Sequence, residues 1–507
     1  MPKKVLKNAS FNTISQFVNM AVSLLFVPAY IYFLGIDGFG IYSFLTLIFS
    51  WVTILQAGID PAVIRMTAKY AAENKYANIN SLITASLGFQ FVIASLLGIA
   101  IYLSIDYLSL FVVKDEVGFL DEARVALHYS AINIVILMCN NVYVALFMGL
   151  QRYGVSSAYE SLFQLAASLA GLLFLWLGYG IVGVIAARLV LNLMYMPILH
   201  FTAKRLVPSF HLSFSVSREL LKEIYNFASW IVVGRINRLA LNALPPIFIG
   251  TYVGPSGIAY FNIASRIVTT LNNLLASSTT VVFPFVSELK ALKETARIQS
   301  LYLGANRILS LISAPLYSFG AIYSWELLYV WLGADVADNC WMLMALFFIG
   351  YYLSSATMVP SSFALGMGKS KLLAITGFAQ TIFVFLFLPF LMKAFGILGA
   401  GLNLILFEIP SIVMTSIITT RIIGASSFTF WARDRMLILF VTTVIFLVFI
   451  PVKGILSHEP LTRVVTLAYL GGVFIFGLTI YGLIIKSSNL IDQDTKKRIL
   501  NLLHKTG

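Results

Sequence analysis

Two stretches decide the fold when they are set side by side: FLGIDGFGIYSF at residues 33–44 and YVGPSGIAYFNI at residues 252–263. Each closes one apolar run, turns at a glycine and opens another, and the interval between them is 219 residues. FMGLQRYG (147–154) and ALGMGKSK (364–371) repeat the arrangement at an interval of 217, and LGYGIVGV (177–184) and KAFGILGA (393–400) at 216. A glycine at a helix end is common, so each match alone says little. Three matches in order, at a nearly constant interval, divide the chain into two similar halves.

Working outward from these turns, windows of about 20 apolar residues mark membrane-spanning helices. Fourteen are expected: 11–33, 40–58, 82–105, 125–148, 157–178, 180–199, 225–250, 257–284, 303–325, 341–365, 372–392, 396–419, 436–452 and 464–485. The composition agrees, with 59% hydrophobic and 11% charged residues, against about 25% charged in soluble domains. The expected fold is an all-α polytopic membrane protein, with two six-helix repeat bundles and a C-terminal helix pair. The corresponding boundaries are 1–200 for the first bundle, 201–224 for a cytoplasmic linker, 225–421 for the second bundle, 422–486 for the extra hairpin and 487–507 for a tail. The apolar run from Phe11 to Phe33 is too long for the core of a signal peptide and is expected to be a retained first helix.

Connections are short and leave no room for a soluble domain, which removes most enzyme architectures. Cys139 and Cys340 lie in or beside apolar segments and suggest neither a disulfide framework nor a metal site; five scattered histidines add no metal signal. In a soluble chain the net charge of +13 would suggest nucleic acid. Here it divides between two sides of a membrane. One set of loops and both termini carry 24 of the 34 basic residues, the opposite loops five, and five arginines remain inside spans. The opposite loops are acidic, with Asp106, Glu116, Glu326 and Asp338 among them. Positive charge marks the cytoplasmic side, so both termini are expected in the cytoplasm.

The five arginines inside spans are Arg188, Arg235, Arg238, Arg266 and Arg307. An arginine at bilayer depth costs at least ~2.5 kcal/mol, so such residues are functional by default. Arg235, Arg238 and Asn242 share one helical face, as do Asn262, Arg266, Thr269 and Asn273. The first span repeats the pattern without charge, through Asn12, Gln16, Asn19 and Ser23. A polar stripe on repeat-equivalent helices suits a water-filled cavity between halves. Both halves contain an even number of spans and face the same way, as in transporters whose substrate sites lie near the midplane between parallel repeats. Arg266 lies roughly 18 Å in from the Gly254 turn, and Arg188 roughly 14 Å in from the turn at Tyr179, at ~1.5 Å per residue.

The alternative is internal ion pairing. The acids in or beside spans are Asp60, Glu160 and Glu408, three against five arginines, which leaves an excess of positive charge. Arg235, Arg238 and Arg266 are the leading candidates for contact with a passenger, followed by Arg188; Arg307 reads as snorkelling or structural. Asn242, Asn262, Asn273 and Asn19 complete the candidate set. Arginine's planar fork makes paired hydrogen bonds to phosphate, so a cationic cavity implies an anionic passenger. Glu408, inside the twelfth span, is the leading protonatable candidate for coupling transport to a proton or sodium gradient, with Glu160 and Asp60 behind it. It serves equally as a counter-ion for an arginine.

FLGIDGFGIYSF, GIDPAVIRMTAKY (58–70), FMGLQRYG and VGPSGIAYFNIASRIV (253–268) together resemble the polysaccharide-biosynthesis (O-antigen, Wzx-type) flippases of the multidrug/oligosaccharidyl-lipid/polysaccharide exporter superfamily, over about Lys7 to Arg421. The resemblance implies two six-helix bundles around a V-shaped cavity lined by helices 1, 2, 7 and 8. It also implies alternating access, and a polyprenyl-pyrophosphate-linked oligosaccharide moved from the inner to the outer leaflet of a bacterial cell membrane. The matching arginines here would be Arg235, Arg238 and Arg266. This chain departs from a symmetric cationic lining, because its second span carries no charge. The expected partners are the lipid-linked saccharide, membrane lipids and a polysaccharide polymerase, with a monomer sufficient and no nucleic acid. Two other classes fit less well: a cation-coupled drug exporter would favour an acidic cavity, and a membrane polymerase would need more than the short KDEVGFLDEA (114–123) loop.

Overall fold

The computed structural model describes residues 3–56, 59–113, 117–208, 210–212, 244–279, 282–451 and 462–487, and among these all regular structure is helical. Helix α1 (Lys3–Gln56) carries the first two expected spans and is broken at Gly35 (φ 69°, ψ 177°). It is followed by α2 (Ile59–Ala72), α3 (Tyr76–Leu103), α4 (Ile105–Val113), α5 (Leu120–Gly149), α6 (Tyr153–Trp176), α7 (Gly180–Leu206) and α8 (244–252). Next come α9 (Pro255–Thr279), α10 (Val282–Ala291), α11 (Thr295–Ile322), α12 (Ser324–Leu332), α13 (Ala334–Gly366) and α14 (Ser370–Phe395). The last run is α15 (Leu398–Phe407), α16 (Ile409–Ile417), α17 (Ser427–Trp431), α18 (Leu437–Val448) and α19 (Arg463–Ser487). Thirteen of the fourteen expected spans coincide with described helices. The seventh lies mostly outside the described residues, as does most of the expected linker 201–224. Among the described residues nine helices are long and apolar enough to cross a membrane, and α11 with α12, bent by 70° at Tyr323, makes a tenth.

The repeat read from the sequence returns as backbone conformation. Left-handed φ is found at Gly35 (69°) and Gly254 (101°), at Gln151 (57°) and Gly368 (67°), and at Gly180 and Gly396 (both 56°). Each pair is separated by the interval of its sequence match. A fourth pair, Asn74 (55°) and Lys293 (59°), falls at 219. These two turns fall within the segments 63–82 and 286–301. Each segment is a short helix, a left-handed turn and the start of a long helix. Helix α2 is amphipathic, burying Ile59, Ala62, Val63, Met66 and Thr67 while Arg65 and Lys69 stay exposed.

The chain forms two compact units, Met1–Asn262 and Ile263–Gly507. In the first, α5 packs on both α3 and α7, and α1 lies on α6. Polar side chains tie this core together, as they do in lipid, where apolar contact alone discriminates poorly. Asn192 donates Nδ2 to Asn133 Oδ1 at 2.7 Å, and Asn140 donates Nδ2 to the Asn192 carbonyl at 2.9 Å. In the second unit α11 packs on α13, and the C-terminal pair packs on both α11 and α12. Tyr323, Phe446, Tyr469, Leu470 and Val473 form one buried cluster there, and Tyr481 donates its hydroxyl to the Leu311 carbonyl at 3.1 Å.

Candidate functional site

Helix α9 sorts its faces clearly. Ile258, Ala259, Ile263, Ala264, Val268 and Leu275 are buried. The predicted stripe lies on the other side: Asn262, Arg266 and Thr269 are half-buried and Asn273 is exposed. The buried side is anchored by Asn272, whose Oδ1 accepts from Tyr317 Oη of α11 at 3.2 Å. Within the stripe, Asn262 Nδ2 donates to the Ile258 carbonyl at 3.0 Å, and Thr270 Oγ1 donates to the Arg266 carbonyl at 2.7 Å. A membrane-length helix thus keeps an arginine and two asparagines off its packed face. Arg235, Arg238 and Asn242 lie outside the described residues.

In the first unit, Asn19 is half-buried on α1, its Oδ1 without a hydrogen-bond partner among the described residues. Arg188 is half-buried on α7, within electrostatic reach of the Tyr30 phenol. That phenol packs edge-on against Tyr42, with centroids 5.3 Å apart. Asp60 is half-buried in the first turn of α2, and Glu160 is exposed on α6. These two acids sit in the N-terminal parts of their helices.

Arg307 belongs to a different arrangement from the stripe. Its Nε donates to Asp434 Oδ1 at 3.1 Å, and both side chains are buried. The neighbouring Arg435 is fully buried. It donates Nη1 to Ser355 Oγ at 3.3 Å, its guanidinium lies 5.8 Å from the Phe430 ring centre, and its carbonyl accepts from Tyr352 Oη at 2.8 Å. Arg433 and Arg435 are among the 24 basic residues that the sequence places in loops and termini, yet Asp434 and Arg435 are both buried. The reason for the difference is a π-helical turn at Ala432–Met436. The extra residue in such a turn lets the consecutive Asp434 and Arg435 both face inward. Asp434 thus adds a fourth acid to the three counted in or beside spans, and Arg435 a sixth arginine to the five inside them. The adjacent acid between two arginines, ARDRM, was the available signal.

Glu408 occupies the break between α15 and α16. Pro410 lacks an N–H and cannot continue the ladder, so the helix opens here. The carboxylate is buried and hydrogen-bonded by Ser354 and Ser411, while Oε2 has no partner among the described residues. Gln380 on α14 donates Nε2 to Ser411 Oγ at 2.7 Å and to the Phe407 carbonyl at 3.4 Å. An acid in an apolar span, held by hydroxyls, can exchange a proton or a small cation. Among the described residues no salt bridge reaches Glu408, and Arg307 pairs with Asp434. No cluster of three or more histidine, cysteine or acidic residues suited to a metal occurs among the described residues.

Comparisons with known proteins agree with this architecture. A protein of Shigella flexneri named "Putative O-antigen transporter" is 22% identical over 410 residues, covering 79% of this chain and 94% of its own length. Among solved structures, the lipid II flippase MurJ in an inward closed conformation aligns with a TM-score of 0.67 at 14% identity, covering 94% of this chain and 98% of that one. An inward-facing multidrug resistance MATE family transporter of the MOP superfamily aligns with a TM-score of 0.65 at 17% identity, covering 79% and 93%. These structural likenesses fix the fold. Residues 5–290 match the family described as polysaccharide biosynthesis protein, and with its paired six-helix pattern and repeated turns the chain is a multi-pass membrane protein that belongs to that family.

Proposed function

We propose that the chain is a flippase that moves a polyprenyl-pyrophosphate-linked oligosaccharide, of O-antigen or capsule type, from the inner to the outer leaflet of a bacterial inner membrane. The observation that carries this reading is the α9 stripe, where Arg266 and its amide neighbours are kept off the packed face of a membrane-length helix. The names of the Shigella relative and of MurJ support a lipid-linked passenger. Arg266, with Arg235 and Arg238 of the preceding span, grips the pyrophosphate through paired, charge-assisted hydrogen bonds. Arg188 and the asparagines Asn19, Asn242, Asn262 and Asn273 hydrate or orient the saccharide. Alternating access carries the headgroup across, and the lipid tail stays in the bilayer. Both termini are cytoplasmic, a monomer suffices, and a polymerase consumes the outward-facing product. Glu408 couples the cycle to a proton or sodium gradient.

The test is the sidedness of the lipid-linked pool. Cells lacking this protein should accumulate intact units accessible only from the cytoplasm. Cells with Arg235→Ala or Arg266→Ala at normal protein level should lose about tenfold or more of outward movement, the worth of a hydrogen bond to a charged group. Undiminished outward appearance in the deleted strain, with no second flippase present, would overturn the reading.

A further inference from the structure

The second unit contains a cavity that the passenger site does not use. It measures ≈ 350 Å³ and opens where α11 bends into α12, beside the start of α13. The end of α18 and the first turns of α19 complete it, through Ile450 and Tyr469. This is the end of the bundle opposite the basic turn at Lys290, Lys293 and Lys369.

Its floor is rigid and apolar. Tyr323 and Tyr469 are buried and meet edge to face, with centroids 6.1 Å apart. Their hydroxyls are already spent on the carbonyls of Phe446 (2.9 Å) and Phe449 (2.8 Å) at the end of the α18 span. Its rim carries Trp325, Trp341 and Asp338, with Glu326 buried beneath. Trp325 donates Nε1 to Asp338 Oδ1 at 2.7 Å and stacks on Tyr329 at 5.1 Å and 10°. That bond fixes the indole and leaves other acceptor sites on an exposed carboxylate. Trp341 is 39% exposed.

Among the described residues the lining offers aromatic faces and two carboxylates, with neither lysine nor arginine. Such a surface repels a phosphate. It suits a ligand with an apolar face and a rim of hydroxyl donors, since a hydroxyl bonded to a carboxylate makes one of the stronger hydrogen bonds. The volume lies in the range for ring-sized ligands, about 300–1,000 Å³, and is generous for a small ammonium group.

We propose that this cavity is a saccharide-binding site for the glycan of the passenger, engaged at the outer face as the headgroup leaves. The assignment of passenger and of outer face rests on the flippase reading above. Trp341 supplies a stacking face, Asp338 accepts from sugar hydroxyls, and Glu326 supplies a deeper acceptor.

The probe is the free oligosaccharide released by mild acid from the lipid-linked pool of the native cells. It is titrated onto the full-length protein in nanodiscs and followed by saturation-transfer NMR and calorimetry. Saturable binding is expected, weakened about 3- to 10-fold by Trp341→Ala, the worth of an aromatic contact, and weakened also by Asp338→Asn. Absence of binding to the unmodified protein, or equal binding by both variants, overturns the proposal. So does tetramethylammonium chloride that displaces the glycan or binds in a Trp341-dependent way, which would make the cavity an amine site. The sidedness assay runs separately. Normal outward movement without glycan binding removes this site and leaves the flippase reading intact. Glycan binding by a protein whose deletion leaves the pool unaffected does the reverse.

Discussion

Asp434 pairs with the Arg307 guanidinium inside the second unit, 3.1 Å from its Nε. Removing one member of a buried pair leaves the other charge uncompensated, which costs about 3–5 kcal/mol. Asp434→Asn should therefore lower the melting temperature and the membrane level of the protein sharply. The double substitution Arg307→Met with Asp434→Leu should recover most of the loss, because paired buried charges contribute little net stability. A double-mutant cycle by thermal unfolding in detergent measures both. The pair was hard to see in the sequence because counting basic residues assigns any Arg-rich stretch next to a span to the loop. Only the π turn at Ala432–Met436 reveals that this one points inward. Glu408 was legible for the opposite reason: a lone carboxylate inside an apolar run has no loop to belong to. Its partner Ser354, and Gln380 that holds Ser411 beside it, were not, since they come from other helices and their hydroxyl and amide types are common in spans.

At the scale of elements, the four repeated turns set an internal control. Gln151 and Gly368 occupy the same left-handed position in the two halves. An L side chain there is strained by roughly 1–2 kcal/mol, whereas glycine is not. Gln151→Gly should then stabilise the first unit by about 1 kcal/mol, and Gly368→Gln should destabilise the second by a similar amount. A Cβ at 368 meets nothing closer than Lys290 Nζ at 3.6 Å, so the cost is conformational, not steric. Thermal shifts of the two single variants check the sign; two shifts in the same direction would refute the equivalence. The spans and these turns were legible because hydrophobic length and glycine placement are local properties. The α9 stripe was legible too, because periodicity along one helix fixes a face. The aromatic cavity at the α11–α12 bend was not, because its walls come from five helix ends that only folding brings together.

At the scale of the whole molecule, transport must be driven. In the proposed cycle Glu408, buried at the break between α15 and α16, senses the gradient. Glu408→Gln fixes the side chain in a form that resembles the protonated acid. Outward movement of the lipid-linked pool should then lose its dependence on the gradient, a coupling of typically 1–3 kcal/mol or about 5–150-fold. Comparing movement before and after a protonophore or a sodium ionophore, in both forms, identifies the ion. A variant that keeps the full response would move the coupling site elsewhere.

The nearly constant interval between the repeated turns also lets each half be read against the other. Carried back by 219 residues, Arg235 and Arg238 fall on Gln16 and Asn19, and Asn242 falls on Ser23. The first half carries the amides Gln16 and Asn19 where the second carries guanidinium groups. In the proposed mechanism the two halves divide their labour at matching positions, with the anion's grip assigned to the second half.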